Sequence, residues 1–477
     1  MAEDAWSLLP LLLYRQLSHT RSPHIMSLST LAEQPLLGCL DVEVVGEEIL
    51  MRLPVDARLR AREVSRGWRA LLNKPRFWLV LDFSSESGVV ARFAHRALRA
   101  LLFAAGERGR GHLHTLDLTG VRALRTEDLV QFVAAHGQSL RSMTTPESLR
   151  LRANEVTRLC RSAPLCTLRC GVDCTIAEAL PLLRCEAPCA LLHVVTLWVC
   201  TFCSRQTRVL DLAAALPSHR GKIKGLVVCH AQLQNVALAG ALMGGIAEAG
   251  VSNVFFHRCH LAPASLPGLT RLLQAGCLER LDISNSRHAL FEEGPDLTAF
   301  CHAMRNSTLQ ALELSWCRLW RDRAAAGELL TSLGGHQTLR ELTLCYNPHA
   351  RRAAGEQLAS LITHNSALQK LDLSENSLGE ACLAPIFEAL PRSSTLKELL
   401  YSISHTKTIS REFARNVILP AVRANTSLRT IVGYVLDDDG DWEPRQYDDR
   451  KRLPELREAQ AIVDARTQPD AGVIAPF

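Results

Sequence analysis

The sequence predicts an α/β solenoid of about 12 strand-helix repeats behind a small all-α N-terminal module, on three observations. One short spacing recurs along most of the 477 residues: an apolar residue, two variable positions, an apolar residue, one variable position, an apolar residue, then Asn or Cys three places on. Its clearest copy is LQKLDLSENSL at residues 368–378. The copies return at intervals of 25 to 32 residues, with first apolar positions at Leu113, Leu140, Leu165, Leu192, Ile223, Val251, Leu278, Leu309, Leu339, Leu368, Leu396 and Leu428. Between them lie apolar sets at helical spacing, such as Leu297, Phe300, Cys301 and Met304, then Ala326, Leu329, Leu330 and Leu333, then Leu383, Ile386, Phe387 and Leu390.

Residues 1–39 show neither helical nor strand period and read as a poorly ordered leader. Residues 40–84 read as short helices. Ile49, Leu50 and Leu53 share one face before Pro54 turns the chain, and Leu59, Val64, Trp68 and Leu71 follow on a second helix that Pro75 closes. A segment of this size buries little apolar area alone and needs a neighbour to stay folded.

The run EEILMRLPVDARLRAREVSRGWRALLNKPRFWLVLDFS resembles an F-box, through Ile49-Leu50, Leu53-Pro54, Val64-Ser65-Arg66, Trp68 and a closing Phe77-Trp78 before a Leu-Asp-Phe strand. Asp41-Val42 stands where the family's opening Leu-Pro falls. The resemblance implies a grip on a Skp-type adaptor, and through it on a cullin ligase core. The adaptor contacts would be Ile49, Leu50, Leu53, Pro54, Leu59, Val64 and Trp68. On composition alone the same helices could be a cap over the first repeat, which every solenoid requires.

Residues 85–434 carry the repeats. They match the leucine-rich-repeat pattern, and their length resembles the ribonuclease-inhibitor type, a horseshoe with a parallel sheet inside and helices outside. Cys200, Cys259, Cys317, Asn347 and Asn376 all fall eight places after the first apolar residue, where a small buried polar group can satisfy the turn leaving the strand. Residues 435–477, opening on the acidic run of Asp437, Asp438, Asp439 and Asp441, read as a solvated cap and tail.

Chemistry beyond binding finds little support. Cys160 to Cys203 contains CxxC and CxxxC spacings that could hold zinc, but several of these cysteines already occupy repeat positions. The Gly106–Gly111 stretch lacks the Gly-Lys-Ser/Thr of a phosphate loop, and no nucleophile elbow or zinc-protease motif occurs. The chain is therefore expected to be no enzyme and to carry no cofactor. A net charge of +5 spread along the chain argues against nucleic acid, and the absence of a long apolar run argues against a membrane. Sixteen scattered cysteines point to reduced thiols in the cytoplasm or nucleus.

Because strand side chains alternate faces, the variable repeat positions should line the concave face. That face comprises Trp198, Val227, Phe255, His257, Arg280, Asp282, Glu313, Trp316, Thr343, Tyr346, Lys370, Asp372, Glu398 and Val432, with aromatics in the middle repeats and charges later. Exposed aromatics and Arg on a rigid surface suit a protein partner. Two roles follow. One is a ubiquitin-ligase receptor, holding the adaptor through the F-box-like module and an unknown substrate protein through the repeats. The other is a non-catalytic scaffold or inhibitor whose N-terminal helices are only a cap.

Overall fold

A computed structural model describes residues 55, 58–59, 69 and most of 72–467, apart from 84–94, 184–191, 201–205, 286–289, 404–408, 436–452 and a few single positions. The chain divides into two compact units, residues 1–174 with 185–197 and residues 175–184 with 198–477.

In the first unit, β1 (Val80–Asp82) pairs in parallel with β2 (Thr115–Asp117), β2 with β3 (Ser142–Thr144), and β3 with β5 (Thr167–Thr175). A short strand that repeat counting missed, β4 (Arg150–Arg152), pairs with the far half of β5 at Gly171 to Asp173. Parallel neighbours cannot be joined by hairpins, so helices make the crossovers: α1 (His95–Arg108), α2 (Thr126–His136) and α3 (Ala153–Ser162). β6 (Leu192–Cys200) contributes residues to both units.

The second unit repeats one plan eight times. β7 (Ile223–Cys229), β8 (Asn253–His257), β9 (Arg280–Asp282), β10 (Ala311–Glu313), β11 (Glu341–Thr343), β12 (Lys370–Leu378), β13 (Glu398–Ile403) and β14 (Thr430–Val435) pair in chain order, all parallel. The connecting helices include α4 (Val236–Ala249), α5 (Leu266–Gln274), α6 (Pro295–Arg305), α7 (Arg323–Gly334), α8 (Arg352–His364) and α9 (Glu380–Ala389). This is an α/β solenoid of leucine-rich-repeat type. The three helical apolar sets read from the sequence are all buried, and so are Leu368, Leu371, Leu373 and Leu378. Full burial of one such side chain stabilises by about 1.5–3 kcal/mol, and every repeat supplies several.

Two polar positions recur inside the solenoid. Asn347 donates to the carbonyls of Leu314, Leu344 and Cys345 at 2.9, 3.0 and 3.2 Å and accepts from the amides of Cys317 and Leu319, both at 3.0 Å. Asn376 repeats the arrangement one turn on, donating to Leu344, Leu373 and Ser374 and accepting from the Asn347 amide and Trp320 Nε1. In earlier repeats Cys259 and Cys317 take the same place with one short Sγ contact each, to the carbonyls of Val228 and Ile283 at 3.1 and 3.3 Å.

The second position lies three residues before the first apolar residue of a repeat. Asn365 Oδ1 accepts from the amides of Ala367 and Leu368, and Asn425 Oδ1 from those of Ser427 and Leu428. His336 does the same through Nδ1, accepting from Thr338 and Leu339 at 3.2 and 3.1 Å, so its proton sits on Nε2, which donates to Ser307. The ring is wholly buried, and burial lowers its pKa from 6.5 to about 4. The stability that depends on the neutral ring is complete above pH 6.5 and drains away as pH falls toward 4, because the unfolded chain binds the proton first. At pH 5 this amounts to about 2 kcal/mol. Urea titrations of His336→Asn at pH 7.5 and pH 5 should show the acid-induced loss reduced by about that much, since Asn365 and Asn425 show that an amide can fill the position.

Beyond the last strand, the helix Pro454–Thr467 buries Ala459 and Val463, and its Glu455 takes Arg411 at 2.9 Å and Arg415 at 3.4 Å. Arg466 donates to the Val422 carbonyl at 2.8 Å. The acidic run at 437–441 lies outside the described residues. Among the described residues no helix is long and apolar enough to cross a membrane.

Candidate functional site

At the N-terminal end, Ile49, Leu50, Leu53, Pro54, Val64 and Trp68 lie outside the described residues; Leu59 is half-buried. The described parts show how the module is anchored. Val55 and Arg58 are buried, and Arg58 donates to the Phe77 carbonyl at 2.5 Å. Burial lowers the pKa of this guanidinium, with the nearby Asp82 charge acting in the opposite direction. Phe77 and Trp78 are fully buried in a 3-10 turn, Pro75–Trp78, and Trp78 Nε1 donates to the Leu72 carbonyl at 2.6 Å. The chain then enters β1, whose Leu81 pairs with Leu116 of the first repeat strand. Gly109 permits this seating, because a Cβ there would lie 2.9 Å from the Trp78 carbonyl oxygen. The helical module thus continues into the repeat sheet through a buried aromatic joint.

The second surface is the sheet face opposite the core in the second unit. Strand pairing places Phe255, Asp282, Glu313, Thr343, Asp372, Leu400 and Val432 in one row across β8 to β14, each half-buried, while Leu281, Leu312, Leu342 and Leu371 are buried between them. A flanking row carries Arg280, Glu341, Lys370 and Glu398, paired with one another: Arg280 to Glu341 at 3.4 Å and Lys370 to Glu398 at 3.6 Å. Val227 departs from expectation, being 2% exposed although its row-mates open to solvent. Trp198 is half-buried on β6, between buried Leu197 and Val199.

Trp316 and Tyr346 also depart from the expected placement. They stand beyond the ends of β10 and β11, where strand alternation has stopped, and both are left-handed, with φ of 61° and 56°. His230, Arg258, Asn285 and Glu375 share the conformation at the equivalent point of their own repeats. Such backbone is costly for non-glycine residues and persists only where the surroundings hold it. Here the amides of Asn285, Trp316 and Tyr346 donate to the carbonyls of Ser315, Cys345 and Ser374 in the next repeat at 2.7–3.1 Å. The left-handed residue makes the sharp turn that sends the following side chain, Cys259, Cys317, Asn347 or Asn376, into the core.

Six side chains therefore project along one rim, in the order His230, Arg258, Asn285, Trp316, Tyr346, Glu375. Trp316 and Tyr346 stack with centroids 4.4 Å apart and planes 10° apart, and Trp316 remains 46% exposed. His257, exposed at the end of β8, has its pKa lowered by burial and by Arg258. At the other end, burial and then the neighbouring Asp282 raise the pKa of Glu313, while burial and then Asp372 raise that of Glu375.

Of the cysteine cluster, five members are described. Cys170 and Cys174 are buried thiols, with burial pushing the Cys170 thiol up to about 12; Cys166 is exposed and Cys200 half-buried. Cys160 is disulfide-bonded, which departs from the expectation of a chain of thiols throughout. Cys185, Cys189 and Cys203 lie outside the described residues, and the described residues hold no group of three or more His, Cys, Asp or Glu able to bind a metal ion.

Comparison with known proteins adds a family match at the N-terminal end. The F-box domain model matches residues 43–80. A human NACHT, LRR and PYD domains-containing protein 5 is 25% identical over 182 residues, covering 32% of this chain and 15% of the relative's length. Among solved structures, the leucine-rich repeat-containing protein LegL7 of Legionella pneumophila is 11% identical with a TM-score of 0.34, covering 76% of this chain and 94% of its own. The actin-binding site 2 of leiomodin-1 is 16% identical with a TM-score of 0.23, covering 35% and 76%.

Proposed function

From the premise that residues 43–80 are an F-box domain followed by a leucine-rich-repeat solenoid, we propose that the protein is the substrate-recognition subunit of a Skp-cullin-F-box ubiquitin ligase. The F-box would hold a Skp-type adaptor through the apolar face carrying Ile49, Leu50, Leu53, Pro54, Leu59, Val64 and Trp68. The open strand face of the repeats would hold a substrate protein. The protein catalyses nothing itself in this reading. It raises the effective concentration of substrate lysines near the charged ubiquitin carrier, so its catalytic contribution is proximity and orientation.

The observation that carries this reading is the F-box match ending where Phe77, Trp78 and β1 lock the module to the repeat sheet. A joint of buried aromatics and a shared ladder suits a rigid connection between the F-box and the first repeats better than a tether would. The test is co-purification with a Skp-type adaptor. The wild-type chain should bring the adaptor down, and Leu53→Ala with Trp68→Ala should reduce recovery at least tenfold, since truncating two apolar anchors typically costs several kcal/mol of binding. Failure of the wild-type chain to retain adaptor would leave the repeats as a free-standing scaffold.

A further inference from the structure

We propose that the strand face and rim of β9 to β12 hold an extended, arginine-bearing segment of a partner protein, with its guanidinium groups among Asp282, Glu313, Asp372 and Glu375 and against the Trp316–Tyr346 stack. This rests on the reading of the repeats as the substrate-holding half and names the chemistry that half would select.

Charge complementarity chooses the occupant. Arg280 and Lys370, the basic residues in the flanking row, are already engaged by Glu341 and Glu398. Among the described residues, Asp282, Glu313, Asp372 and Glu375 take part in no ion pair. Their other partners are weak for anions: Asp282 and Asp372 each accept one backbone amide, from Ser284 at 2.8 Å and Ser374 at 2.9 Å, Asp372 also faces the Cys345 thiol, and Glu313 accepts the Ser315 hydroxyl at 3.3 Å and feels the Arg280 charge without a contact ion pair. Burial first, and repulsion from Asp282 and Asp372 after it, raise the pKa of Glu313 and Glu375, so these carboxylates are poorly compensated where they stand. Such a row gains most from a desolvated cation.

Geometry narrows the cation to arginine on an extended chain. Neighbouring strands lie about 4.8 Å apart, so the row from Asp282 to Asp372 spans roughly 14 Å, the reach of four or five extended residues. The aromatic stack adjoins that row, since Tyr346 lies within electrostatic reach of both Glu375 and Asp372. A planar, weakly hydrated guanidinium can lie on an indole face and still present its fork to a carboxylate, whereas an ammonium suits this pairing less well. The rim also has polarity, with His230 and Arg258 at one end and Glu375 at the other, so the segment's basic part belongs at the β12 end.

The test uses the full-length chain without adaptor, so failure here and failure of adaptor binding are read separately. A fluorescein-labelled nine-residue peptide alternating Arg with Ser is titrated by fluorescence anisotropy, beside versions with Lys or Glu in place of Arg. The Arg peptide should bind saturably and several-fold tighter than the Lys peptide, and the Glu peptide should not bind. Glu313→Gln/Asp372→Asn/Glu375→Gln should weaken the Arg peptide at least tenfold. Trp316→Asn should weaken it about fivefold, with Asn chosen because Asn285 already holds this left-handed position. Removing three exposed charges elsewhere, Glu248→Gln/Glu292→Gln/Glu293→Gln, should change affinity less than twofold. The proposal is overturned if the wild-type chain does not bind the Arg peptide, if the Glu peptide binds equally well, or if both triple variants lose the same affinity. Thermal unfolding by circular dichroism confirms that each variant compared is folded.

Discussion

Replacing Asn376 by Asp should destabilise the protein by about 4 kcal/mol or more, although the two side chains are almost the same shape. The Asn376 amide donates to the carbonyls of Leu344, Leu373 and Ser374, and its oxygen accepts from the Asn347 amide and the Trp320 indole. A carboxylate can only accept, so three donations become oxygen-oxygen repulsions at a position with no solvent access. Asn376→Ala should cost somewhat less, because it leaves the carbonyls unpaired without adding charge. Asn376→Cys should be the mildest of the three, since Cys259 and Cys317 fill the same place in other repeats with one short bond each. Urea unfolding at neutral pH ranks the set, and a ranking with Asp mildest would refute the donor argument. The effect should extend to function: Asn376 follows Glu375 and holds Trp320, so disturbing it loosens the rim that carries Tyr346 and Glu375.

Gly355→Ala should destabilise by several kcal/mol, reversing the usual sign of such a change. In a helix interior, Gly to Ala ordinarily gains about 0.5–1 kcal/mol through backbone entropy and propensity. Here a Cβ would sit 2.1 Å from the Cys382 carbonyl oxygen, on the backbone of the next helix, so α8 and α9 must separate. Overpacking of this kind costs about 1–3 kcal/mol or more, and backbone has no rotamer through which to yield. The clash therefore outweighs the propensity gain. Gly240 in α4 supplies the internal control, because a Cβ there meets nothing within 4 Å and Gly240→Ala should show the ordinary gain of up to about 1 kcal/mol. Paired melting curves settle the matter: if Gly355→Ala and Gly240→Ala move the midpoint in the same direction, the close approach of α8 and α9 is not the controlling term.

Much of this architecture was legible in the residues because a solenoid is built from nearest-neighbour contacts at a fixed period. Leu368, Leu371 and Leu373 announce a strand by their spacing, Leu297 to Met304 a helix, and Asn376 a turn, since burial in each case repeats with local geometry. The F-box signal was legible for a different reason: Leu53-Pro54, Val64-Ser65-Arg66 and Trp68 form an ordered motif that an apolar cap does not require. β4 was not legible, as Arg150 to Arg152 carries one apolar residue between two charges and pairs only because β5 runs long enough to take a second partner.

The proposed binding surface was half legible. Alternation placed Phe255, Arg280, Asp282, Glu313, Lys370 and Asp372 on the open face, because side-chain direction in a strand is a local property. It misplaced Trp316 and Tyr346, since counting by twos fails once the backbone turns left-handed, and the hydrogen bonds that hold that turn come from the following repeat, about 30 residues away. Which charges are satisfied was equally invisible, because Arg280 makes its ion pair with Glu341 across two strand spacings while Glu313 between them makes none among the described residues. By itself, then, the sequence determined the repeat, its core and the kind of N-terminal module, all functions of local period and motif. Only the tertiary structure decided that two aromatics stack at the rim beside unpaired carboxylates, because that depends on the register between strands, which no single repeat contains.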